Sequence, residues 1–198
     1  MAAELNSNQF PEVYNALGVK ISDLGFVGLT LEPLDIVKHV EGGADDLYYS
    51  THPDRFWIKG PVAEVSAHMT VMFGLMKKAY DWAPFVDQVL DGWKPETIEI
   101  DHVGFFPSNI EDEDYSCIIG HVKVTPEILE GHQRLQLLPH IETFPLAYRP
   151  HVTLAYVKNG PSNVDWAANT REKWIRSLQG HFSGLALPVQ GRTYGSKH

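Results

Sequence analysis

The chain has little cysteine and no long apolar run, and each shortage excludes a class of protein. Cys117 is the only cysteine among 198 residues, so an internal disulfide and a disulfide-stapled secreted scaffold are excluded. No apolar run approaches the ~18 residues that a membrane span needs, and the start MAAELNSNQF lacks the basic and apolar regions of a signal peptide. We therefore expect a cytoplasmic protein that has no membrane partner.

Positive charge is also scarce, since 16 Lys and Arg stand against 25 Asp and Glu, for a formal net charge of −9. A negative net charge disfavours binding to long nucleic acid, because such binding depends on positive side chains that neutralise the phosphates. A nucleotide ligand should therefore be small, or be held by a local basic spot. A hydrophobic content of 43% excludes a disordered chain, and the length favours one domain. Because the start of the chain is polar, we expect an N-terminal arm (residues 1–24) followed by that domain (residues 25–198).

The patterning along the chain predicts alternating strands and helices. Strands are predicted at residues 25–31, 67–73, 97–106, 115–124, 151–157 and 185–189. Helices are predicted from Asp81 to Gly92, from the capping residue Thr125 to about Leu138, and from Pro161 onward. This order is typical of an α+β fold rather than a doubly wound parallel sheet. Residues 32–66 form a long polar stretch of the kind that often serves as a functional lid.

Two of the predicted strands carry the same local pattern. His68-Met69-Thr70-Val71 and His151-Val152-Thr153-Leu154 each combine a histidine, an apolar residue, a threonine and a second apolar residue. Residues i and i+2 of a strand face the same way, so each pattern presents an imidazole beside a hydroxyl while the apolar residues enter the core. With 10 histidines and threonine at about 5% frequency, chance predicts roughly 0.1 such matches. The two patterns lie 83 residues apart, which suggests two similar lobes with these strands facing across a groove.

The segments AHMTVMFG and RPHVTLAYV resemble the 2H phosphoesterase superfamily, which includes LigT-like RNA ligases and cyclic nucleotide phosphodiesterases. The resemblance implies a bilobal α+β fold, with two antiparallel sheets facing a central cleft and helices outside. It also implies that His68, Thr70, His151 and Thr153 form the active site. Within the superfamily, the form PHVTLAY and the acidic charge look most like the viral anti-CBASS nucleases, which open cyclic di- and trinucleotide signals.

The chemistry of these side chains suits phosphodiester cleavage without a metal or other cofactor. One histidine takes a proton from the attacking hydroxyl and the other gives a proton to the leaving oxygen, because imidazole has a pKa of ~6.5. Threonine hydroxyls donate hydrogen bonds to the non-bridging phosphate oxygens. Two alternatives stay open: both histidines are structural, or they bind zinc with others from distant strands. The remaining histidines show neither the close pairing nor the cysteine partners of a structural zinc site.

Substrate-binding residues are predicted from their position beside the motifs. Tyr148 and Arg149 precede the second motif, where they could stack on a base or approach a phosphate. Tyr49 and Trp57 belong to an aromatic group in the long segment, and Met72 follows Thr70 by two residues and is expected to line the pocket floor. An ordinary packing role for each of them is the alternative.

Three functions compete at this point. The first is cleavage of 3′-5′ linkages in cyclic di- or trinucleotide signals such as cGAMP. The second, in the same class, is hydrolysis of 2′,3′-cyclic phosphates at RNA ends, which the acidic charge mildly disfavours. The third is a nucleotide sponge that binds its ligand without turnover, for which two matched proton-transfer groups would be unnecessary.

Overall fold

The structure is a computed structural model that describes residues 24–50, 67–76, 79–108, 114–141, 148–159 and 166–196. The described strands are β1 (Gly25–Leu31), β2 (His68–Leu75), β3 (Thr97–Pro107), β4 (Tyr115–Val122), β5 (His151–Lys158) and β6 (Ala186–Ser196). The described helices are α1 (Gly43–Asp46), α2 (Ala79–Val89), α3 (Pro126–Leu135) and α4 (Trp166–Phe182), with a short 3-10 turn at Val37–His39. This arrangement is an α+β fold. The predicted arm lies outside the described residues except for Leu24, and no described helix has the length and apolar character to cross a membrane.

The strands form one antiparallel sheet in the order β1-β2-β5-β4-β3-β6, closed by pairing of β3 with β6. The predicted hairpin of β3 and β4 is present, with Val103 opposite Gly120. β1 pairs with β2 on one side and along β6 on the other. The last strand is longer than the predicted 185–189 because it follows β1 as far as Ser196.

The expectation of two separate sheets is not met, because two narrow pairings join the strands into one set. β2 meets β5 through the single pair Met69 and Val152, and β3 meets β6 over residues 97–99 and 186–188. The pairing within β6-β1-β2 and within β5-β4-β3 is much longer. Two well-paired groups of three strands are therefore linked at their edges.

The hydrophobic core lies between one face of this sheet and the helices. α2 packs on β1 and β6, α3 packs on β2, and α4 packs on β3, β4 and β5. The core includes Val27, Met69 and Val152 from the strands, and Trp174 from α4, all of them fully buried. Apolar burial of this kind stabilises the fold by roughly 25 cal/mol per Å² of apolar surface. The other face of the sheet carries the half-buried motif side chains together with a second, smaller cluster of buried residues.

The first part of the predicted lid, residues 32–50, is packed onto α4 and contains the 3-10 turn and α1. Ile36, Val40 and Leu47 are buried in the core. The indole of Trp174 donates to the carboxylate of Asp46, from Nε1 to Oδ2 at 2.8 Å, and Lys173 forms an ion pair with the same oxygen. Residues 51–66 lie outside the described residues.

Local sequence signals predicted the helices, but some predicted helix ends differ from the observed ends by a few residues. Thr125 caps α3 as predicted, since its hydroxyl accepts from the Ile128 amide at 3.2 Å, but the helix ends at Leu135 rather than Leu138. α2 begins at Ala79, so Asp81 lies in its first turn instead of capping it. The last predicted helix is described from Trp166 onward, after the undescribed residues 160–165.

Candidate active site

The two motif strands meet at Met69 and Val152, the central residues of the two motifs. In an antiparallel pair the flanking positions run in opposite directions. Thr70 therefore stands opposite His151, and His68 stands opposite Thr153. A local two-fold axis through the Met69 and Val152 pair relates each histidine to the other and each threonine to the other.

All four motif side chains point to the face of the sheet away from the core. Met69 and Val152 have no exposed surface, whereas His68, Thr70, His151 and Thr153 are each half-buried. This alternation is the one predicted from the sequence. The expectation that the two strands face each other across a groove was wrong, because they are paired neighbours in one sheet. The structure thus brings the two motifs together on one surface.

Aromatic rings from neighbouring strands flank both histidines. Phe26 of β1 stacks toward His68, with ring centroids 6.0 Å apart, and Phe106 of β3 makes a T-shaped contact with His151, with centroids 5.0 Å apart. Gly195 of β6 leaves the space that the Phe26 ring occupies, because a Cβ there would lie 2.3 Å from that ring. The two imidazoles therefore lie between apolar walls that limit their movement.

The His151 imidazole is oriented by the backbone. Its Nδ1 lies 3.2 Å from the carbonyl oxygen of Arg149, and a carbonyl only accepts, so Nδ1 carries the hydrogen. Burial lowers the pKa of His151 below its usual 6.5, and the hydrogen bond to Arg149 opposes this with a smaller effect. The nearby His121 adds a still smaller lowering of the pKa. His151 is therefore neutral near pH 7, and its Nε2 is free of hydrogen and able to accept a proton.

A small buried cluster adjoins Thr153 on the same face. It consists of Tyr115, Cys117, Ile119 and Tyr156, with Tyr48 packed against it. The Cys117 thiol lies 4.0 Å from the Thr153 hydroxyl, from Sγ to Oγ1, and burial raises the pKa of Cys117 to about 11. Cys117 therefore stays a protonated, weakly polar neighbour of Thr153 rather than a nucleophile.

The residues predicted beside the second motif lie in different surroundings. Tyr148 packs against His132 of α3 with parallel rings 3.9 Å apart, and burial strongly raises its pKa. Its hydroxyl is buried and has no hydrogen-bond partner in the described part of the chain. Arg149 is exposed, and the alternation of exposed Arg149, buried Pro150 and half-buried His151 puts Arg149 on the motif face.

The other predicted binding residues are not gathered with the motifs. Met72 is 4% exposed and lies in the core opposite Val27. The alternation breaks after Thr70 because Val71 is an extra residue in the β1–β2 register, so Met72 turns inward instead of lining the pocket floor. Tyr49 is 54% exposed, while its neighbour Tyr48 packs against the buried cluster, and Trp57 lies outside the described residues.

Several further residues share the motif face and were not predicted from the sequence. Besides Phe26 and Phe106, these include His121, which pairs directly with His151 across β4 and β5. A signal was present, because Tyr115, Cys117, Ile119 and His121 alternate along a predicted strand and must share a face.

Among the described residues, no three His, Cys, Asp or Glu side chains are arranged to hold a metal ion.

Comparisons with known proteins give a likeness of fold. No protein-family model matches the chain, and no curated protein matches it significantly. Usb1 from Kluyveromyces marxianus has a similar structure, with a TM-score of 0.53 at 9% sequence identity, over 89% of this chain and 96% of that one. A second structure of the same Usb1, with uridine monophosphate, has a TM-score of 0.50 at 9% identity, over 89% of this chain and 95% of that one. The chain therefore shares the Usb1 fold.

Proposed function

We propose that this chain is a phosphodiesterase of the 2H type, with His68, Thr70, His151 and Thr153 as its catalytic residues and no metal in the reaction. The pairing of Met69 with Val152 carries the proposal, because it puts two matched imidazole–hydroxyl pairs around one point on an exposed face. A phosphate at that point meets a histidine and a threonine from each strand. A structural role for either histidine would not need this symmetry.

The surroundings of the histidines divide the acid and base roles. His151 is the base, since its Nδ1 hydrogen is committed to the Arg149 carbonyl and its lowered pKa keeps Nε2 free of a proton. His68 is then the acid. In the proposed step, Nε2 of His151 takes the proton of a substrate 2′-hydroxyl as that oxygen bonds to phosphorus. The bond from phosphorus to the 5′-oxygen breaks, and His68 protonates that oxygen.

The threonines stabilise the negative charge that grows on the phosphate during this step. Each hydroxyl donates one hydrogen bond to a non-bridging oxygen, and hydrogen bonds to charged groups contribute roughly 1.5–3 kcal/mol. The contact with Cys117 does not use the Thr153 hydroxyl hydrogen, because a protonated thiol donates to the threonine oxygen. The face is thus suited to the transition state of phosphoryl transfer.

The substrate we propose is a cyclic di- or trinucleotide cleaved at a 3′-5′ linkage, and a role against CBASS immunity would follow from that activity. The net charge of −9 supports a small substrate over long RNA. Hydrolysis of 2′,3′-cyclic phosphates at RNA ends is the second candidate. It is supported by the fold neighbour Usb1, which has been solved with uridine monophosphate.

Product analysis separates these possibilities. The protein is incubated with cyclic dinucleotides, cyclic trinucleotides and 2′,3′-cyclic mononucleotides, and the products are resolved by liquid chromatography and mass spectrometry. Linear products from cyclic di- or trinucleotides support the first substrate class, and opening of 2′,3′-cyclic phosphates alone supports the second. Tight binding with every ligand returned intact identifies a sponge and contradicts the proposal.

A further inference from the structure

Three histidines stand side by side across β3, β4 and β5. His121 of β4 pairs with His102 of β3 and with His151 of β5. The rings of His102 and His121 are stacked, with centroids 4.2 Å apart and planes 23° from parallel. Only His151 belongs to a motif, so two histidines extend the site along the sheet.

The position of His121 is defined by its neighbours. Gly104 of β3 leaves room for the imidazole, because a Cβ at Gly104 would lie 2.9 Å from His121 Nε2. Phe106 makes T-shaped contacts with both His121 and His151, with ring centroids 6.3 Å and 5.0 Å apart. The ring of His121 is therefore held against β3 and next to the proposed base.

Arg149 adds a positive charge to the same surface. It is exposed, and the hydrogen bond from the Val122 amide to the Pro150 carbonyl, at 2.9 Å, puts Arg149 opposite Lys123. Lys123 is neutralised by an ion pair with Glu99 at 3.0 Å. Arg149 makes no side-chain hydrogen bond or ion pair with any residue in the described ranges.

A positive charge on His121 is disfavoured by its neighbours while no anion is bound. After burial, His102 and then Arg149 lower the pKa of His121, and the opposing effect of Asp101 is smaller. The carboxylate of Asp101 is committed to His102, with Oδ2 2.8 Å from Nδ1. Although the net charge of the protein is −9, three basic side chains lie around the single carboxylate of Asp101 on this surface. This arrangement favours binding of an anionic ligand between the basic side chains.

We propose that His102, His121 and Arg149 bind a second phosphate group of the substrate, next to the phosphate held between His68 and His151. This inference rests on the proposed function and deepens it. It makes the preferred substrate a nucleotide with at least two phosphates, such as a cyclic oligonucleotide or a linear dinucleotide, over a mononucleotide with one. Each charge-assisted hydrogen bond to that phosphate raises affinity by about 10- to 100-fold.

A binding measurement tests the second phosphate site without any turnover. Calorimetry compares uridine 3′-monophosphate with uridine 3′,5′-bisphosphate, neither of which contains a phosphodiester. We expect the wild-type protein to bind the bisphosphate at least tenfold more tightly, with an advantage that shrinks at high salt. Arg149→Gln and His121→Gln should reduce this ratio to less than threefold.

One further variant tests whether the position of the His121 ring matters, and a second variant is a control outside the site. Gly104→Ala keeps all three basic groups but pushes the His121 ring away, so it should lower the ratio as His121→Gln does. Arg176→Gln removes an exposed arginine from α4, outside the site, and should leave the ratio at its wild-type value. Equal binding of the two ligands by the wild-type protein, or a full advantage retained in Arg149→Gln, overturns the inference.

The activity measurement distinguishes this inference from the proposed function. In Arg149→Gln, kcat/KM for a uridine dinucleotide ending in a 2′,3′-cyclic phosphate should fall at least tenfold more than for 2′,3′-cyclic uridine monophosphate, mainly through KM. If the wild-type protein hydrolyses nothing but the variants lose the bisphosphate advantage, the proposed function fails and the second phosphate site stands. Hydrolysis with no difference between the two substrates in any variant removes the second site alone.

Discussion

Met69 and Val152 form the single residue pair through which β2 meets β5, and neither side chain has any exposed surface. Because the pair is antiparallel, it relates the two motifs by a local two-fold axis. The surroundings of the two motif histidines do not follow this symmetry. His151 donates to the Arg149 carbonyl and makes a T-shaped contact with Phe106, whereas His68 stacks toward Phe26. Equivalent positions can thus carry the two different proton-transfer roles.

Removing either motif histidine should abolish most of the turnover and leave binding largely intact. We expect His68→Ala and His151→Ala to lower kcat by about 10²- to 10⁴-fold, since each removes one proton transfer. Thr70→Val and Thr153→Val should be milder, at about 10- to 100-fold, since each removes one hydrogen bond to a charged oxygen. Steady-state kinetics and calorimetric binding measure the two effects separately.

His181→Ala is the matched control for these substitutions. His181 is exposed near the end of α4, where it stacks on His39. A serine follows it by two residues, so its local sequence resembles the two motifs although it does not lie on a strand. Its removal should leave kcat unchanged. Full activity in His68→Ala or His151→Ala would take that histidine out of the mechanism.

The lowered pKa of His151 predicts the acid limb of the pH profile. A general base works while neutral, so activity is lost as pH falls through its pKa, and burial has moved that pKa below 6.5. We expect log kcat/KM to be bell-shaped, with its acid midpoint below pH 6.5 and an alkaline limb from deprotonation of the acid. His121→Gln removes one influence that lowers the pKa and should move the acid midpoint upward. A profile that rises steadily through pH 9 would contradict the paired roles.

Internal attack predicts a strict need for a 2′-hydroxyl beside the scissile linkage. A 3′,5′-linked cyclic ribonucleotide should be cleaved through a 2′,3′-cyclic phosphate, because the 2′-oxygen is the nucleophile. The 2′-deoxy analogue should bind and remain intact. Mass spectrometry of early time points detects the cyclic intermediate. Cleavage of the deoxy analogue at the rate of the ribonucleotide would indicate attack by water.

Proton transfer by two histidines requires no divalent ion. Hydrolysis should therefore proceed at an undiminished rate in excess EDTA, measured on protein dialysed against the chelator. The control is a metal-dependent phosphodiesterase that loses activity under the same conditions. Loss of activity that Zn²⁺ or Mn²⁺ restores would assign the chain to the metallohydrolases.

Two helical glycines should respond to alanine in opposite directions. Gly131 of α3 lies under the ring of Trp93, where a Cβ would come within 2.2 Å of Cζ2, so Gly131→Ala should destabilise the fold by about 1–3 kcal/mol. Gly180 of α4 has no atom within 4 Å of an added Cβ. Gly180→Ala should stabilise the fold by about 0.5–1 kcal/mol, because alanine is the better helix former. Urea denaturation measures both, and equal effects would contradict the packing of Trp93 on Gly131.

The parts of the fold that were predicted correctly from the sequence depend on residues that lie close together in the chain. The cap of α3 depends on Thr125 and the residues that directly follow it, and the strand patterns of β3, β4 and β5 depend on alternation within a few residues. The predicted end of β6 at residue 189 was wrong, because the true end is set by residues that are far apart in the chain. Its extension to Ser196 depends on pairing with β1, which lies more than 150 residues earlier in the chain.

The sequence by itself determined which side chains each motif strand presents, because alternation along a strand places His68 with Thr70 and His151 with Thr153. Only the tertiary structure decided that Met69 pairs with Val152 and that His121 and Phe106 join the same face. It also turned Met72 into the core through one extra residue in the β1–β2 register. These outcomes depend on strand register, which is set by cross-strand hydrogen bonds and core packing between segments far apart in the chain, and no local pattern encodes it.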